Sequence, residues 1–337
     1  MERITYFCSV MPLKLTTYYS GSDIPDLPGR RTFHSMELFR IYAATPGYTP
    51  ILVTASRQGK LLGKLLAVVR HGTRFLLPDL LKRCEVYGYG EYWCDESEQE
   101  AVFSEMLQRL TEEALRGCFF IEFRNLESAT FGYKSFSGNG YFAVNWLRVR
   151  NSLHSQQQSM SRFSSSRVRQ VKKGLKNGAT VREATTSQEI EELVHLLHHN
   201  YSSKIRRHFP SLPFFQQLER QLLRHEGGRI FIVLYKDKII GGSACFYDDT
   251  TAYLWFSGGL RKSYALQYPG ILAVWKAMDD AWQRGFEHFE FLDVGLPFRR
   301  HGYRDFVLRF GGKQIGARRW FRFRWEWLNR LLTWCFG

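Results

Sequence analysis

Five cations recur along one short stretch of the chain: Arg167, Arg169, Lys172, Lys173 and Lys176. Their spacing puts several on one side of a helix, a surface suited to phosphate groups. A solvated interdomain helix would carry the same run. Like-charge pairs at i,i+3 and i,i+4 without acidic neighbours repel one another, however, and an anionic ligand would relieve that cost. Asp293 closes the run Glu290-Phe291-Leu292-Asp293 ahead of Gly295, where a carboxylate could orient or deprotonate an attacking group. An aspartate after a strand is also often a turn former or helix cap. Tyr253, Ser257 and Tyr268 could donate hydroxyl hydrogen bonds, whereas aromatic residues in apolar strands more often fill a core.

Covalent and metal chemistry have little support. There is no G-x-S-x-G elbow and no Cys and His pair that stands out. The six cysteines, Cys8, Cys84, Cys94, Cys118, Cys245 and Cys335, are scattered without CxxC or zinc-type spacing, which reads as reduced thiols in a cytosol. His195, His198 and His199 cluster in sequence but lack the further partners of a ligand set, so no metal is expected.

The elements that must position these residues come from a chain of 337 residues, long enough for two cores. Hydrophobic residues at 44% and aromatics at 16% can fill both. Formal charge is +15, from 47 Lys plus Arg against 32 Asp plus Glu, so the protein should attract polyanions and respond to ionic strength. Residues 4–11 form too short an apolar stretch for a signal peptide, and nowhere do about 18 apolar residues run together as a membrane span requires. A cytoplasmic protein is the expectation, with any membrane contact peripheral at the inner face.

Self-similarity organises the chain. Residues 51–63 align with 229–241, each reading as strand, turn and strand, with Gln58-Gly59 and Lys236-Asp237 as the turns. Downstream, Arg116-Gly117 followed by Glu122-Phe123 matches Arg284-Gly285 followed at the same spacing by Glu290-Phe291. Helices are expected over 101–116 and 271–284, with Gly117 and Gly285 free to adopt positive φ at their ends. The expectation is an α/β fold with mixed sheets: a first unit over 1–150, a basic interdomain segment over 151–180 and a second unit over 181–337. Residues 321–327 alternate aromatic and charged as a last strand, and 327–335 read as a short helix. That helix suits either a membrane interface or packing on the core.

A helix-hairpin-strand-helix-strand unit occurring twice, with a basic helical segment between the copies, resembles the tandem GNAT fold of the Fem-type aminoacyltransferases. Those enzymes extend peptidoglycan cross-bridges. The likeness spans about Phe33 to Phe310 and rests on residues 167–174, on Gly241-Gly242-Ser243, on residues 253–259, on Phe291-Leu292-Asp293-Val294-Gly295 and on residues 302–311. It implies transfer of an aminoacyl or acyl group onto an amine of a cell-envelope precursor. It also implies that the phosphate of that precursor lies on Arg167, Arg169 and Lys172. The residues themselves add Ser257 and Tyr268 as further candidate substrate contacts and Asp293, Arg304 and Tyr253 as candidate catalytic residues.

One departure matters: where the family has a lysine after the phenylalanine of the last motif, this chain has Val307. Arg304 lies one helical turn before it and could bring a cation to the reacting carbonyl oxygen. No bound cofactor is expected. The donor would be aminoacyl-tRNA or acyl-coenzyme A, with tRNA a further partner and DNA not among them. Residues 260–270, ahead of the second helix, are cationic but lack the Q/R-x-x-G-x-G/A pattern of coenzyme A sites. Two alternatives stand beside this reading: an acyl-coenzyme A-dependent N-acyltransferase of an amino sugar or lipid, and a non-catalytic RNA- or membrane-binding protein.

Overall fold

The computed structural model describes residues 12–21, 24–71, 82–154, 159–202, 209–223 and 226–336. Cys8 and the apolar stretch 4–11 lie outside them. The first half runs β1 (Lys14–Tyr19), α1 (Met36–Ala44), β2 (Tyr48–Arg57), β3 (Lys60–Arg70), β4 (Arg83–Tyr87), β5 (Glu91–Tyr92), α2 (Glu96–Gly117), β6 (Phe120–Arg124), α3 (Tyr133–Gly138) and β7 (Phe142–Ser152). The basic helix α4 (Ser165–Lys176) follows. The second half runs β8 (Thr180–Glu183), α5 (Ser187–Asn200), α6 (Leu212–Gln221), β9 (Gly228–Tyr235), β10 (Lys238–Tyr247), β11 (Thr251–Gly259), α7 (Pro269–Gln283), β12 (His288–Phe291), α8 (Gly302–Leu308) and β13 (Lys313–Phe323). Helix α9 (Glu326–Phe336) ends the chain.

The aligned segments fall on equivalent elements. β2 and β3 form one antiparallel hairpin, β9 and β10 the other. Gln58 and Gly59 have φ of 53° and 77°, Lys236 and Asp237 of 50° and 59°. Positive φ at both central residues is what a tight two-residue hairpin demands. In each half a long helix, α2 or α7, then crosses over to a parallel strand: β4 pairs with β6 and β11 with β12. Gly285 ends its helix at φ 82°, as expected. Gly117 does not: it stays inside α2, and Cys118 leaves the helix in an extended conformation.

The two units are not two sheets. The strand order is β1-β2-β3-β4-β6-β13-β7-β12-β11-β10-β9-β8, one continuous sheet, with β5 on the side of β3. Each half ends in a strand that lies against the other half's parallel strand: β13 is antiparallel to β6, and β7 is antiparallel to β12. The two last strands also pair with each other from Lys313↔Arg150 to Phe321↔Phe142. Sequence alternation carried that last strand to residue 327. It stops at Phe323, where Arg324 and Trp325 turn the chain into α9.

Burial follows the exchange. Trp320 of β13 is buried in the first-half core and stacks on Phe136 at 4.6 Å, while Val149 and Leu153 of the β7 end belong to the second-half core under α7. The opposite face of the sheet holds a third core shared by both halves. There Phe33 meets Phe246 and Tyr253 with ring centroids 5.7 and 5.4 Å apart, and Tyr42 of α1 meets Phe214 of α6 at 6.1 Å. Among the described residues no helix is long and apolar enough to cross a membrane.

Candidate active site

On that shared face, between the end of β4 and the β10–β11 turn, lies a cavity of about 390 Å³ lined from both halves, among others by Arg31, His34, Glu127, Arg150, Asp248 and Tyr253. Its position follows from the chain. The 3-10 turn Thr32–His34 leads into α1, capped by Ser35, whose side chain accepts the N–H of Leu38. This turn brings Arg31 beside the segment after β6. The Arg31 guanidinium donates to Glu127 Oε1 at 2.5 Å and to the Gly90 carbonyl at 3.2 Å. The next residue reaches the other half: the Thr32 N–H donates to Asp248 Oδ1 at 3.2 Å, and the Thr32 hydroxyl to the Tyr247 carbonyl.

The electrostatics of this cavity suit proton transfer. Burial pushes the Asp248 carboxyl up to about 7, against the pull of Arg31 and of the Thr32 N–H, and Asp249 adds to the rise. Burial likewise raises Glu127, opposed by Arg31, the Tyr89 N–H and Arg148. One Glu127 oxygen, Oε2, is buried without a hydrogen-bond partner among the described residues. Burial raises Tyr253 too, followed by the nearby carboxylates Glu290, Asp248 and Glu127, so its phenol stays a donor. His34 is held neutral by burial first, then by Arg31 and Lys64; its ring nitrogens face the N–H groups of Leu66 and Gly90 at 3.2 and 3.0 Å.

A line of ion pairs crosses the middle of the sheet next to this cavity. Glu290 of β12 is fully buried and takes Arg148 Nη1 at 2.6 Å and Arg150 Nε at 2.5 Å, both from the exchanged strand β7. Arg148 also donates to the carbonyls of Leu126 and Glu127, fixing the segment that carries Glu127. On the other side, Arg319 of β13 bridges Glu122 at 2.7 Å and Asp293 at 3.0 Å. Buried charges persist when paired and hydrogen-bonded in this manner, and removing one partner is what destabilises.

Of the residues singled out in sequence, Tyr253 alone lines the cavity. Asp293 accepts from Trp146 Nε1 at 3.0 Å and pairs with Arg319. Desolvation by its neighbours raises the pKa of this half-exposed carboxyl, but Arg319, Arg124 and Trp146 outweigh it and hold it below its usual range, where it is a poor base. Arg304 is buried, and its guanidinium donates to the carbonyls of Leu296, at 2.7 Å, and Arg299. It fastens the 296–299 loop rather than presenting a free cation. Val307 is fully buried in the second-half core.

Arg167 is spent as well: its guanidinium lies over Phe306 and Phe310 at 4.6 and 4.5 Å and donates to the Phe306 carbonyl at 2.9 Å. Burial, with Arg309 nearby, lowers its pKa to about 10. Arg169 and Lys172, by contrast, are exposed on the outer side of α4. Ser257 takes the Tyr201 hydroxyl on its carbonyl at 2.9 Å, and Tyr268 caps α7 at φ 50°. Neither borders the cavity.

Arg31, Glu127 and Asp248 went unnoticed in sequence because none sits in a motif. The Asp248-Asp249 pair in the turn between two apolar strands was the one available sign. His195, His198 and His199 are exposed on α5, and the donor atoms of His154, Glu287 and His288 lie within 4.8 Å of one another at the surface.

The helix N-termini that could hold a pyrophosphate are poorly suited to it. α7 begins with Pro269, which has no N–H, and the N–H groups of Ile271 and Leu272 both bond the Tyr268 carbonyl at 2.9 and 3.0 Å. α2 is preceded by Asp95 and carries Glu96 and Glu98 in its first turn, which repel an anion. β11 extends to Gly259 while its pairing with β12 stops at Leu254↔Phe291, so the Trp255–Gly259 edge has no β12 neighbour.

Residues 164–306 match the acetyltransferase (GNAT) domain family. Similar solved structures cover nearly the whole chain at low identity. FemX is 11% identical, with a TM-score of 0.61 over 90% of this chain and 94% of that one. A tandem GNAT protein from the clavulanic acid biosynthesis pathway is 10% identical, with a TM-score of 0.55 over 93% and 99%. L-PGS from Bacillus licheniformis is 11% identical, with a TM-score of 0.50 over 80% and 86%. No curated protein matches the sequence. The fold is that of a tandem GNAT protein, and its second half carries an acyltransferase domain.

Proposed function

We propose that this chain, a tandem GNAT fold carrying a GNAT acyltransferase domain over residues 164–306, transfers an aminoacyl or acyl group onto an amine of an anionic cell-envelope precursor. The observation that carries the reading is the cavity between the halves, where a carboxyl with a pKa of about 7 stands with a second raised carboxyl, an arginine and a protonated phenol. Acyl transfer needs the acceptor amine neutral, a place for the proton it loses and a donor for the oxyanion that develops. Asp248 is matched to accept that proton near neutral pH. Glu127 Oε2 offers the amine an acceptor, and Tyr253 can donate to the oxyanion. The amine attacks the donor's carbonyl carbon, a C–N bond forms, and the C–O or C–S bond to the carrier breaks as the carrier oxygen or sulfur takes up a proton.

An aminoacyl ester fits better than a coenzyme A thioester, because Pro269 and the acidic start of α2 leave no ordinary pyrophosphate cradle at either helix. The acyl-coenzyme A reading keeps one supporting observation, the unpaired β11 edge along which a thioester arm could extend. The likeness to FemX supports a peptidoglycan-type acceptor. Incubating the protein with labelled aminoacyl-tRNA or acyl-coenzyme A and an extract of envelope precursors tests the reading. Label transferred to an amine from aminoacyl-tRNA is the expected result. Transfer from the thioester alone selects the second reading, and no transfer from either overturns both.

A further inference from the structure

Helix α9 carries its large apolar side chains on the wrong side for a helix that only packs. Trp327, Leu331 and Trp334 fall at i, i+4 and i+7, one stripe along the helix, and are 65%, 49% and 83% exposed. The inner side is held by Asn329, which is buried, donates to the Gly140 carbonyl at 2.7 Å and accepts the Phe323 N–H at 3.0 Å. Phe336 stacks on Phe142 at the far end, ring centroids 6.2 Å apart. The helix is thus fixed to the body with its apolar stripe turned outward. Trp325, also exposed, extends the patch: it stacks on Trp327 at 6.1 Å and meets Phe119 edge-on at 5.2 Å. A contiguous patch of this kind marks a surface that something covers.

Charge identifies what covers it. Residues 321–336 hold three arginines, Arg322, Arg324 and Arg330, against one acid, Glu326, in a chain of formal charge +15. Arg324 is exposed, and the Arg330 side chain is 80% exposed at the flank of the stripe. Tryptophans beside arginines on an amphipathic helix suit the interface of an anionic bilayer. There the indole rings enter the headgroup region and the guanidinium groups meet lipid phosphate.

We propose that the outer face of α9, with Trp325, is a peripheral docking surface for an anionic membrane. It anchors the protein peripherally and is independent of the identity of the acyl donor. The full chain is mixed with vesicles of phosphatidylcholine alone or of phosphatidylcholine and phosphatidylglycerol in equal parts, and pelleted. Binding to the phosphatidylglycerol vesicles is expected, with Trp327→Ser/Leu331→Ser/Trp334→Ser lowering the affinity by roughly 100-fold and Arg324→Gln/Arg330→Gln lowering it in a salt-sensitive manner. A wild type that stays in the supernatant, or a triple variant that binds as well as wild type, overturns the proposal.

If the triple variant fails to fold, a solvatochromic dye on the exposed Cys335 of the wild type decides instead. Its emission should shift to the blue on phosphatidylglycerol vesicles, and an unchanged spectrum counts against the proposal. Sedimentation without lipid gives the rival outcome: a dimer dissolved by the triple substitution would assign the stripe to a second copy of the chain and overturn the membrane assignment.

Discussion

The N–H of Thr32 and the carboxylate of Asp248, 216 positions apart in sequence, meet at 3.2 Å and tie the two halves together at the wall of the cavity. The N–H donates to the carboxylate without neutralising it, and burial keeps the pKa at about 7. A base of this kind works once it has lost its proton, so kcat/KM should rise with pH and level off above about 7. Asp248→Asn should keep the Thr32 contact through its amide oxygen and lower kcat roughly 10²–10⁴-fold, with the pH step gone. The stability sign is opposite. The folded protein binds a proton more readily than the unfolded chain between the ordinary aspartate range and about 7, so this residue's contribution to stability falls as pH rises through that window. Chemical denaturation of both proteins from pH 4 to 8 should show Asp248→Asn losing less stability across it. A variant with wild-type kcat and an unchanged pH profile removes Asp248 from the mechanism.

Arg304 holds the 296–299 loop through the carbonyls of Leu296 and Arg299, so its loss should register in stability. Hydrogen bonds from a charged donor contribute about 1.5–3 kcal/mol each, and Arg304→Ala should cost at least that much in urea melts. Adding Val307→Lys to that variant should destabilise it further rather than rescue activity, because position 307 is fully buried among apolar side chains. Recovery of turnover by the lysine would return the oxyanion role to this helix.

The fold was legible in sequence where local chemistry repeats. The Gln58-Gly59 and Lys236-Asp237 turns, the helix ends near residues 117 and 285 and the basic run of α4 all depend on neighbours within a few positions. The strand exchange was not legible, because nothing local distinguishes a β13 that pairs with β6 from one that closes its own half. The same limit hid the site. Arg31, Glu127 and Asp248 come from three distant segments, and the raised pKa values of Glu127 and Asp248 arise from burial that only the assembled halves create. Arg167 and Arg304 misled in the other direction, since a cation in a basic run or beside a missing lysine reads as available until its carbonyl partners are seen.

The cations of α4 now separate into two groups with different expected signatures. Arg169 and Lys172 are exposed, and Arg167 is clamped on Phe306 and Phe310. Arg169→Gln/Lys172→Gln should leave the melting curve in place and weaken binding of a polyanionic donor such as aminoacyl-tRNA, with the difference from wild type vanishing as salt approaches about 1 M. Arg167→Gln should do the reverse, lowering stability while the salt dependence of binding persists. Equal effects of both variants on binding, with no loss of stability, would show that Arg167 meets the ligand after all.

Because each half completes the other's core, the protein should unfold as one unit. Trp320 belongs to β13 yet stacks on Phe136 in the first-half core, and Val149 of β7 is buried in the second-half core. Truncating a buried Trp in such a setting costs about 3–5 kcal/mol through lost burial and the cavity left behind. If the halves were independent, Trp320→Ala would lower one calorimetric transition and leave a second at its wild-type temperature. The exchange predicts instead a single transition that moves as a whole, with near-ultraviolet dichroism from the aromatic clusters of both halves lost at the same temperature. A chain of residues 12–154 expressed alone should fail to show that dichroism, since β6 and β7 would lack the strand that stands between them. Two separable transitions in the wild type, or a folded first half on its own, would show that the shared sheet is not what couples them.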